Sequence, residues 1–316
     1  MKKTYLIKNP IYFQGEKYLN TNENYFEGWY FKNTNNKDSI AFIPGINLNN
    51  KEKKAFIQVI TNNNSYFINY DIDDFEYSDE PFYIKIGNNF FSEKYISINI
   101  NDKIQKLKIY GDIEYNNNKN IKTNILNPNI MGPFSYIPSM ECNHAILAMK
   151  SNINGIININ NKKIIFKNDI GYIEKDYGIS FPKNYIWIQG NNFKNKDTSF
   201  MLSIANIPFK TFNFKGLICS LIIDNKEYRF ATCNNSKIIK YEINNENVFI
   251  TLKKGKYILE INSKLKQGLK LMAPHKGKMD KDIYENITSI INLTLKENNK
   301  IIYQDISKNC GIEIVK

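Results

Sequence analysis

The second half of this chain repeats segments of the first half in the same order. The segment SIAFIP (Ser39 to Pro44) returns as SIANIP (Ser203 to Pro208), with five of six residues identical. The other repeated pairs are the short segments around Trp29 and Trp187, KAFIQVI and KGLICSLII, MGPF and MAPH, and NNKKIIF…GYIE and NNKIIY…GIEI. Ordered self-similarity of this kind indicates one structural unit used twice. We therefore predict two related domains, residues 1–178 and 179–316.

Each half consists of strand-length apolar segments separated by turn residues. Examples are YFEGWYFK (Tyr25 to Lys32), YISINI (Tyr95 to Ile100) and KLKIYGDIEY (Lys106 to Tyr115), and asparagine clusters separate several such segments. Tyr and Phe are abundant, with 21 and 20 residues, and residues of this type favour strands. The pattern predicts an all-β fold of antiparallel barrels or sandwiches with few helices. The one helix that we expect is a short one within Lys264 to Asn286.

Composition excludes several classes of protein. The net charge of +12 comes almost entirely from lysine, with Arg229 as the only arginine, whereas specific nucleic-acid readers use arginine for bidentate base contacts. We therefore expect no nucleic-acid partner. The lysines are explained either by solvated turns or by attraction to an anionic membrane surface.

Cysteine and histidine spacing predicts no metal site. The chain has four scattered cysteines without a CxxC pair and two histidines, so no zinc-type cluster is visible. The first ten residues, MKKTYLIKNP, contain too short an apolar run for a signal peptide, and no run is long enough to span a membrane. We expect a cytoplasmic protein, with the membrane surface as a place of peripheral contact.

Candidate catalytic residues are those that break the internal symmetry, because residues present in both halves are candidates for holding the fold. Glu27 falls opposite Tyr185 when the two tryptophans are aligned, and Asp176 falls opposite Val315. A buried Glu27 would have a raised pKa and would suit a general acid, but an ion pair inside a barrel explains it equally well. Asp176 has a turn-capping alternative before Gly178.

Other residues of the same segments have weaker claims. His144 has no clear counterpart, and the alternative for it is a satisfied core histidine. Glu174 matches Glu313 in the second half, which favours a structural role for both. Trp29 and Trp187 match each other, which favours core anchors.

Three motifs resemble the tocopherol cyclase family. They are YFEGWYFK (Tyr25 to Lys32), GPFSYIPSMECNHAILAM (Gly132 to Met149) and GYIEKDYGISFPKNYIWIQ (Gly171 to Gln189), and they fall in the family's order. The resemblance covers nearly the whole chain. It implies two tandem antiparallel lipocalin-like β-barrel domains, akin to carotenoid hydratase-like proteins.

The resemblance also implies a chemistry, because tocopherol cyclases close a chromanol ring from a prenylated hydroquinone. An acid protonates the alkene, the tertiary cation is shielded and steadied by aromatic faces, and the phenol oxygen attacks. No cofactor is required. The expected proton donor is Glu27 or Asp176, and His144 or Glu141 would relay the proton or orient the phenol. Four aromatic residues would line the cavity, namely Trp29, Tyr30, Tyr177 and Trp187. Gln189 would donate a hydrogen bond to a ring oxygen of the substrate.

Two functions stay open on the sequence. The first is a cofactor-independent enzyme that cyclises or isomerises a prenylated phenol or polyene lipid in a hydrophobic barrel cavity. The second is a non-catalytic binder or carrier of a hydrophobic ligand in the same kind of cavity. In both, the partner is a small hydrophobic molecule.

Overall fold

The computed structural model describes residues 8–137, 140–209, 212–244 and 246–316. The first seven residues, on which part of the signal-peptide expectation rests, lie outside these ranges. So do Pro138 and Ser139 of the second family-like motif. In the described part of the chain, no helix is long and apolar enough to cross a lipid bilayer.

Within the described ranges the protein forms two large sheets in which all paired strands are antiparallel. The first sheet contains β1 (Tyr25–Thr34), β2 (Ser39–Leu48), β3 (Lys53–Thr61), β4 (Ser65–Asp71), β5 (Phe75–Asp79), β6 (Phe82–Ile86), β7 (Asn89–Phe91), β8 (Tyr95–Asp102), β9 (Leu107–Lys119), β10 (Cys142–Ile159) and β11 (Lys162–Gly178). The second contains β12 (Tyr185–Gly190), β13 (Thr198–Phe209), β14 (Phe212–Ile223), β15 (Lys226–Ala231), β16 (Lys237–Ile243), β17 (Asn247–Lys254), β18 (Tyr257–Lys264), β19 (Leu269–His275), β20 (Lys278–Glu297) and β21 (Lys300–Val315).

Helix is confined to short 3₁₀ turns in the described residues. They lie at Glu16–Tyr18, Ile72–Asp74, Gly132–Tyr136 and Thr232–Asn234. The prediction of an all-β fold with few helices is confirmed. The expected helix within Lys264 to Asn286 is wrong, because alternating residues there belong to β19 and β20, which pair with each other.

The two sheets have corresponding strand orders. The first runs β4-β3-β2-β1-β11-β10-β9, and the second runs β15-β14-β13-β12-β21-β20-β18. In each, the first strand of the unit pairs with the last, so the sequence repeat corresponds to a repeated topology. The strands change from the first sheet to the second between Gly178 and Tyr185.

The two halves correspond in a register that is shifted by one residue from the alignment of Trp29 with Trp187. Glu174 is the cross-strand partner of Tyr30, and Glu313 is the cross-strand partner of Trp187. The structural counterpart of Trp187 is therefore Tyr30 and not Trp29. A slip of one residue reverses the face of a strand, so the two tryptophans point to different sides of their sheets.

In the described part of the chain, buried side chains form three apolar clusters. One cluster fills the inside of the first domain, a second fills the inside of the second domain, and a third lies between the sheets. Strand β1 is buried on both faces: Trp29 and Phe31 face the first cluster, and Tyr30 faces the third. This double burial explains its nearly continuous aromatic sequence.

Candidate active site between the two sheets

An apolar cavity of about 180 Å³ lies between the two sheets. It is lined from the first domain by residues such as Phe26, Gly28 and Phe56, and from the second by residues such as Tyr185 and Trp187. For scale, an apolar cavity of about 150 Å³ binds benzene. The cavity therefore has room for at least one ring of a ligand. It corrects the expected location, since the candidate site lies between the domains and side chains fill the barrel interiors.

His144 and Asp176 form the polar wall of the cavity on the first sheet. They are cross-strand partners on β10 and β11, and His144 Nδ1 lies 2.8 Å from Asp176 Oδ1. His144 Nε2 lies 3.3 Å from Glu174 Oε2. Burial alone would lower the pKa of His144, but the two carboxylates outweigh it and raise that pKa to about 10. The histidine is therefore an imidazolium at neutral pH.

Glu285 and Glu313 form a carboxyl pair on the second sheet. They are cross-strand partners on β20 and β21, and both line the cavity. Tyr30 Oη donates to Glu285 Oε1 across the domain boundary at 2.5 Å, and the Tyr185 hydroxyl donates to Glu313 Oε1. Burial raises the pKa of Glu285 to about 7. Burial and the neighbouring Glu285 raise the pKa of Glu313 well above its ordinary value.

Glu174 completes the group of buried carboxyls. The Tyr172 hydroxyl and Trp187 Nε1 both donate to its Oε2, the latter at 3.2 Å. Burial and Glu174 raise the pKa of Tyr172 well above its ordinary value, so this hydroxyl keeps its proton. Burial likewise raises the pKa of Tyr30 and Tyr185. The tyrosines therefore act as hydrogen-bond donors at neutral pH.

The arrangement can both give and accept protons. One carboxyl group of a like-charged buried pair stays protonated at neutral pH, because two carboxylates cannot both ionise cheaply in an apolar site. Glu313, whose pKa burial raises well above its ordinary value, lies in the same cavity as the hydrogen-bonded pair of His144 and Asp176. An acid and a base are thus held in one water-poor space, which is what acid-catalysed addition to an alkene requires.

Only some of the residues expected from the sequence meet here. Tyr30, His144, Asp176 and Trp187 line the cavity together. The remaining expected residues are not among those that line it, namely Glu27, Glu141, Trp29, Tyr177 and Gln189.

Glu27 lies on the opposite face of β1, inside the first domain. It is fully buried, and its Oε1 lies 2.6 Å from Lys175 Nζ. Tyr25 Oη and the backbone N–H of Gln14 also donate to its carboxylate, at 2.6 Å and 3.0 Å. The alternative of an ion pair inside the barrel is therefore what the structure contains, and Glu27 is not positioned to reach a ligand in the cavity.

Trp29 and Tyr177 share that face with Glu27. Trp29 is fully buried against Phe13, and Lys175 Nζ lies 4.9 Å from the Trp29 ring centre and 5.0 Å from that of Tyr177. Both aromatic rings therefore surround a structural ammonium group and are separated from the cavity by the sheet. The expectation that they bind substrate is corrected by the strand register.

Gln189 and Glu141 lie close to the cavity but outside its lining. Gln189 is buried, and its Oε1 accepts a hydrogen bond of 2.8 Å from Lys32 Nζ across the domain boundary. Burial lowers the pKa of Lys32 to about 8. Glu141 is half-exposed, and its backbone oxygen accepts from Ile179 N and Ser180 N. Burial raises the pKa of the Glu141 carboxyl.

The sequence argument missed Glu285, Tyr172 and Tyr185 and undervalued Glu174 and Glu313. The repeat itself contained the signal. When two similar domains pack face to face, residues repeated in both halves come together at the interface, and the repeated glutamates do so here. A second signal was the spacing of Tyr172 and Glu174. Residues two positions apart in a strand lie on the same face, so this hydroxyl and this carboxyl group are expected to be neighbours.

The spacing of three of these side chains would also admit a metal ion. Ligand atoms of His144, Glu174 and Asp176 all lie within 4.8 Å of one another. A metal ion would have to displace the proton of His144, because the two neighbouring carboxyl groups raise the pKa of this histidine and favour its protonated form. We therefore interpret the group as an imidazolium held between carboxylates.

Comparison with known proteins identifies the family of this chain. The model of the tocopherol cyclase-like family matches residues 101–315. A search of curated proteins finds no match.

Several solved structures share the fold. The structure of CghA with Sch210972 is 5% identical, with a TM-score of 0.59 over 92% of this chain and 88% of that one. A protein from Nitrosomonas europaea that carries the name AttH is 11% identical, with a TM-score of 0.52 over 98% of both chains. Kievitone hydratase from Nectria haematococca is 12% identical, with a TM-score of 0.50 over 99% of this chain and 96% of that one. At these identities the likeness shows the shared fold of tandem lipocalin-like β-domains.

Proposed function

Because this chain belongs to the tocopherol cyclase-like family, we propose that it is a cofactor-independent enzyme that cyclises or isomerises a prenylated phenol or polyene lipid. The observation that carries the proposal is the pair Glu285 and Glu313 in the apolar cavity, where burial raises the pKa of Glu313 well above its ordinary value. A neutral carboxylic acid facing an apolar cavity is the group needed to protonate an electron-rich alkene.

The proposed reaction conserves atoms and charge. Glu313 transfers its proton to one alkene carbon, which forms a C–H bond and leaves a tertiary cation on the other carbon. The ring faces of Trp187 and Tyr30, whose centres are 5.5 Å apart, can steady that cation. The phenol oxygen then forms the C–O bond, and its proton passes to Asp176. The product is an isomer of the substrate, and proton exchange with solvent returns Asp176 and Glu313 to their starting states.

His144 has a positioning role in this scheme. Its Nδ1 lies 2.8 Å from Asp176 Oδ1, so the histidine holds this carboxyl group in place beside the cavity. Asp176 is thereby prepared to accept the phenolic proton. This assignment changes Asp176 from the proton donor expected from the sequence to the proton acceptor.

One observation favours the alternative of a non-catalytic carrier. The buried carboxyl groups accept hydrogen bonds from hydroxyl groups of the protein itself, those of Tyr30, Tyr172 and Tyr185. A cavity whose polar groups are satisfied internally also suits storage of an apolar molecule.

The membrane surface is the proposed source of the substrate. The net charge of +12 supports attraction to anionic lipids, and the four free cysteines suit the cytoplasm. Co-sedimentation with phosphatidylglycerol vesicles, weakened by salt and absent with phosphatidylcholine vesicles, would support this. Equal binding to both vesicle types would contradict it.

The test of the enzymatic proposal is incubation with a panel of prenylated hydroquinones, followed by chromatography and mass spectrometry. We expect a product of unchanged mass and altered retention time. Glu313→Gln should lower turnover by about 10²–10⁴-fold while ligand binding persists. Glu141→Gln is the matched control, since Glu141 lies outside the cavity lining. Retention of a ligand without conversion would favour the carrier.

A further inference from the structure

A row of five cross-strand partners crosses the first sheet beneath the cavity. Phe56 pairs with Gly45, Gly45 with Gly28, Gly28 with Asp176, and Asp176 with His144. Apart from Gly45, every member of the row lines the cavity. Two neighbouring positions of the row thus lack a side chain directly beside the bonded pair of Asp176 and His144.

The glycine at Gly45 is required by packing. A Cβ there would lie 2.5 Å from Phe56 Cζ and 2.6 Å from the backbone oxygen of Glu27. No side chain fits in that space. The Phe56 ring therefore covers Gly45, and the fold alone explains this glycine.

The glycine at Gly28 has no such reason. A Cβ there would meet nothing closer than the backbone oxygen of Pro44 at 3.8 Å, which is ordinary contact, and the φ angle of Gly28 lies outside the left-handed region. Glycine inside a strand weakens the strand and often marks a close approach by a ligand. The missing side chain leaves a slot over Gly28 between Phe56 and Asp176.

We propose that Gly28 is a specificity-determining residue, and that the slot above it holds the planar ring of the substrate against Asp176. This inference rests on the proposed function for the identity of the ring as a phenol. The slot explains how a ring hydroxyl can reach the proton-accepting carboxylate, because the backbone of Gly28 allows the ring to approach the sheet. A side chain at this position would displace the ring from Asp176.

The test compares ligands of two sizes on three variants of the full chain. Binding of phenol and of the larger neutral probe N-phenyl-1-naphthylamine is measured for Gly28→Ala, Gly28→Val and Ala205→Val. Ala205 lines the opposite wall on β13 and serves as the matched cavity control. We expect Gly28→Val to weaken binding of phenol by about 10-fold or more, because the added side chain fills the slot that holds the ring, whereas the larger probe does not fit the slot and should lose less affinity. Gly28→Ala should show a smaller loss and a melting temperature no lower than that of the unaltered chain.

Three results would overturn the inference. They are a chain that binds neither probe, an equal loss of phenol binding in Gly28→Val and Ala205→Val, and an equal loss of both probes in Gly28→Val. Turnover of the hydroquinone panel is measured separately. Size-selective loss without any turnover upholds the slot and contradicts the proposed enzyme. Turnover that Gly28→Val leaves unchanged upholds the enzyme and contradicts the slot.

Discussion

At the scale of single residues, the chemistry depends on which buried carboxyl holds a proton. Glu285 and Glu313 are direct cross-strand partners on the neighbouring strands β20 and β21, and each accepts a hydrogen bond from a tyrosine hydroxyl. Burial is the largest cause of the raised pKa of Glu313, and the charge of Glu285 is the next. The state of one residue therefore sets the proton affinity of the other.

This coupling predicts the pH dependence of Glu285→Gln. Removing the Glu285 carboxyl removes a negative charge, so the pKa of Glu313 should fall and the proton should leave at lower pH. The alkaline fall in the rate should therefore move to lower pH by about one unit or more. Rate profiles of the unaltered chain, Glu285→Gln and Glu141→Gln measure this. A profile of Glu285→Gln that matches the other two would exclude Glu313 as the coupled acid.

A second prediction concerns His144. Asp176→Asn removes the carboxylate that contributes most to raising the pKa of His144, so that pKa should fall from about 10 by about 1–3 pH units. The chain has two histidines, and His275 is largely exposed, so it provides an internal reference in an NMR titration. An unchanged His144 titration in this variant would contradict the ion pair.

At the scale of elements, the buried ion pair of Glu27 and Lys175 holds the N-terminal segment against β1 and β11. Lys175 Nζ donates to the backbone oxygens of Pro10 and Tyr12 at 2.8 Å and 2.6 Å. The Gln14 backbone N–H donates to Glu27. The pair thus joins two strands to a segment without regular structure, and burial makes it sensitive to the loss of either partner.

Lys175→Met should therefore lower the free energy of unfolding by about 3–5 kcal/mol, because it leaves the Glu27 carboxylate buried without its partner. Adding Glu27→Gln to this variant should restore part of the lost free energy of unfolding. Denaturant unfolding measures the stability of the single and the double variant. Turnover per folded molecule should stay near that of the unaltered chain, since neither residue lines the cavity. Loss of turnover in a stable Glu27→Gln variant would contradict this structural role and indicate that Glu27 takes part in catalysis.

The strand content and the internal repeat could be predicted from the sequence, whereas the strand register could not. Alternation and turn residues identified β1, β8 and β9, and the internal repeat predicted two related units, which agrees with the corresponding strand orders of the two sheets. The faces of β1 depended on aligning Trp29 with Trp187, and a slip of one residue reversed them. His144 and Asp176 were found because their own segments contain the motif. Glu285 pairs with Tyr30 from a distant strand, a contact that no local pattern reveals. The domain limits at residue 178 remain a prediction.

At the scale of the whole molecule, the site exists only where the two domains meet. Tyr30 and Glu285 bond across this boundary, as do Lys32 and Gln189, and a cluster of buried apolar residues surrounds them. A large apolar interface couples domains that would otherwise move independently. The ligand cavity and the folding of both domains are therefore linked.

This linkage predicts one calorimetric unfolding transition for the whole chain. A bound ligand should shift that single transition upward, by about 2.7 kcal/mol of stability when its free concentration is one hundred times Kd. Two separate transitions, of which the ligand moves only one, would contradict a site shared by both domains.

The most direct measurement of proton transfer from the cavity acid to an alkene is turnover in D₂O. Carboxyl protons exchange with solvent, so Glu313 would deliver deuterium to the alkene carbon. We predict a product that carries a single non-exchangeable deuterium on carbon, with Glu313→Gln giving little product of any kind. A product formed without deuterium on carbon would contradict acid catalysis at this site, and ligand retention without product would contradict the enzyme itself.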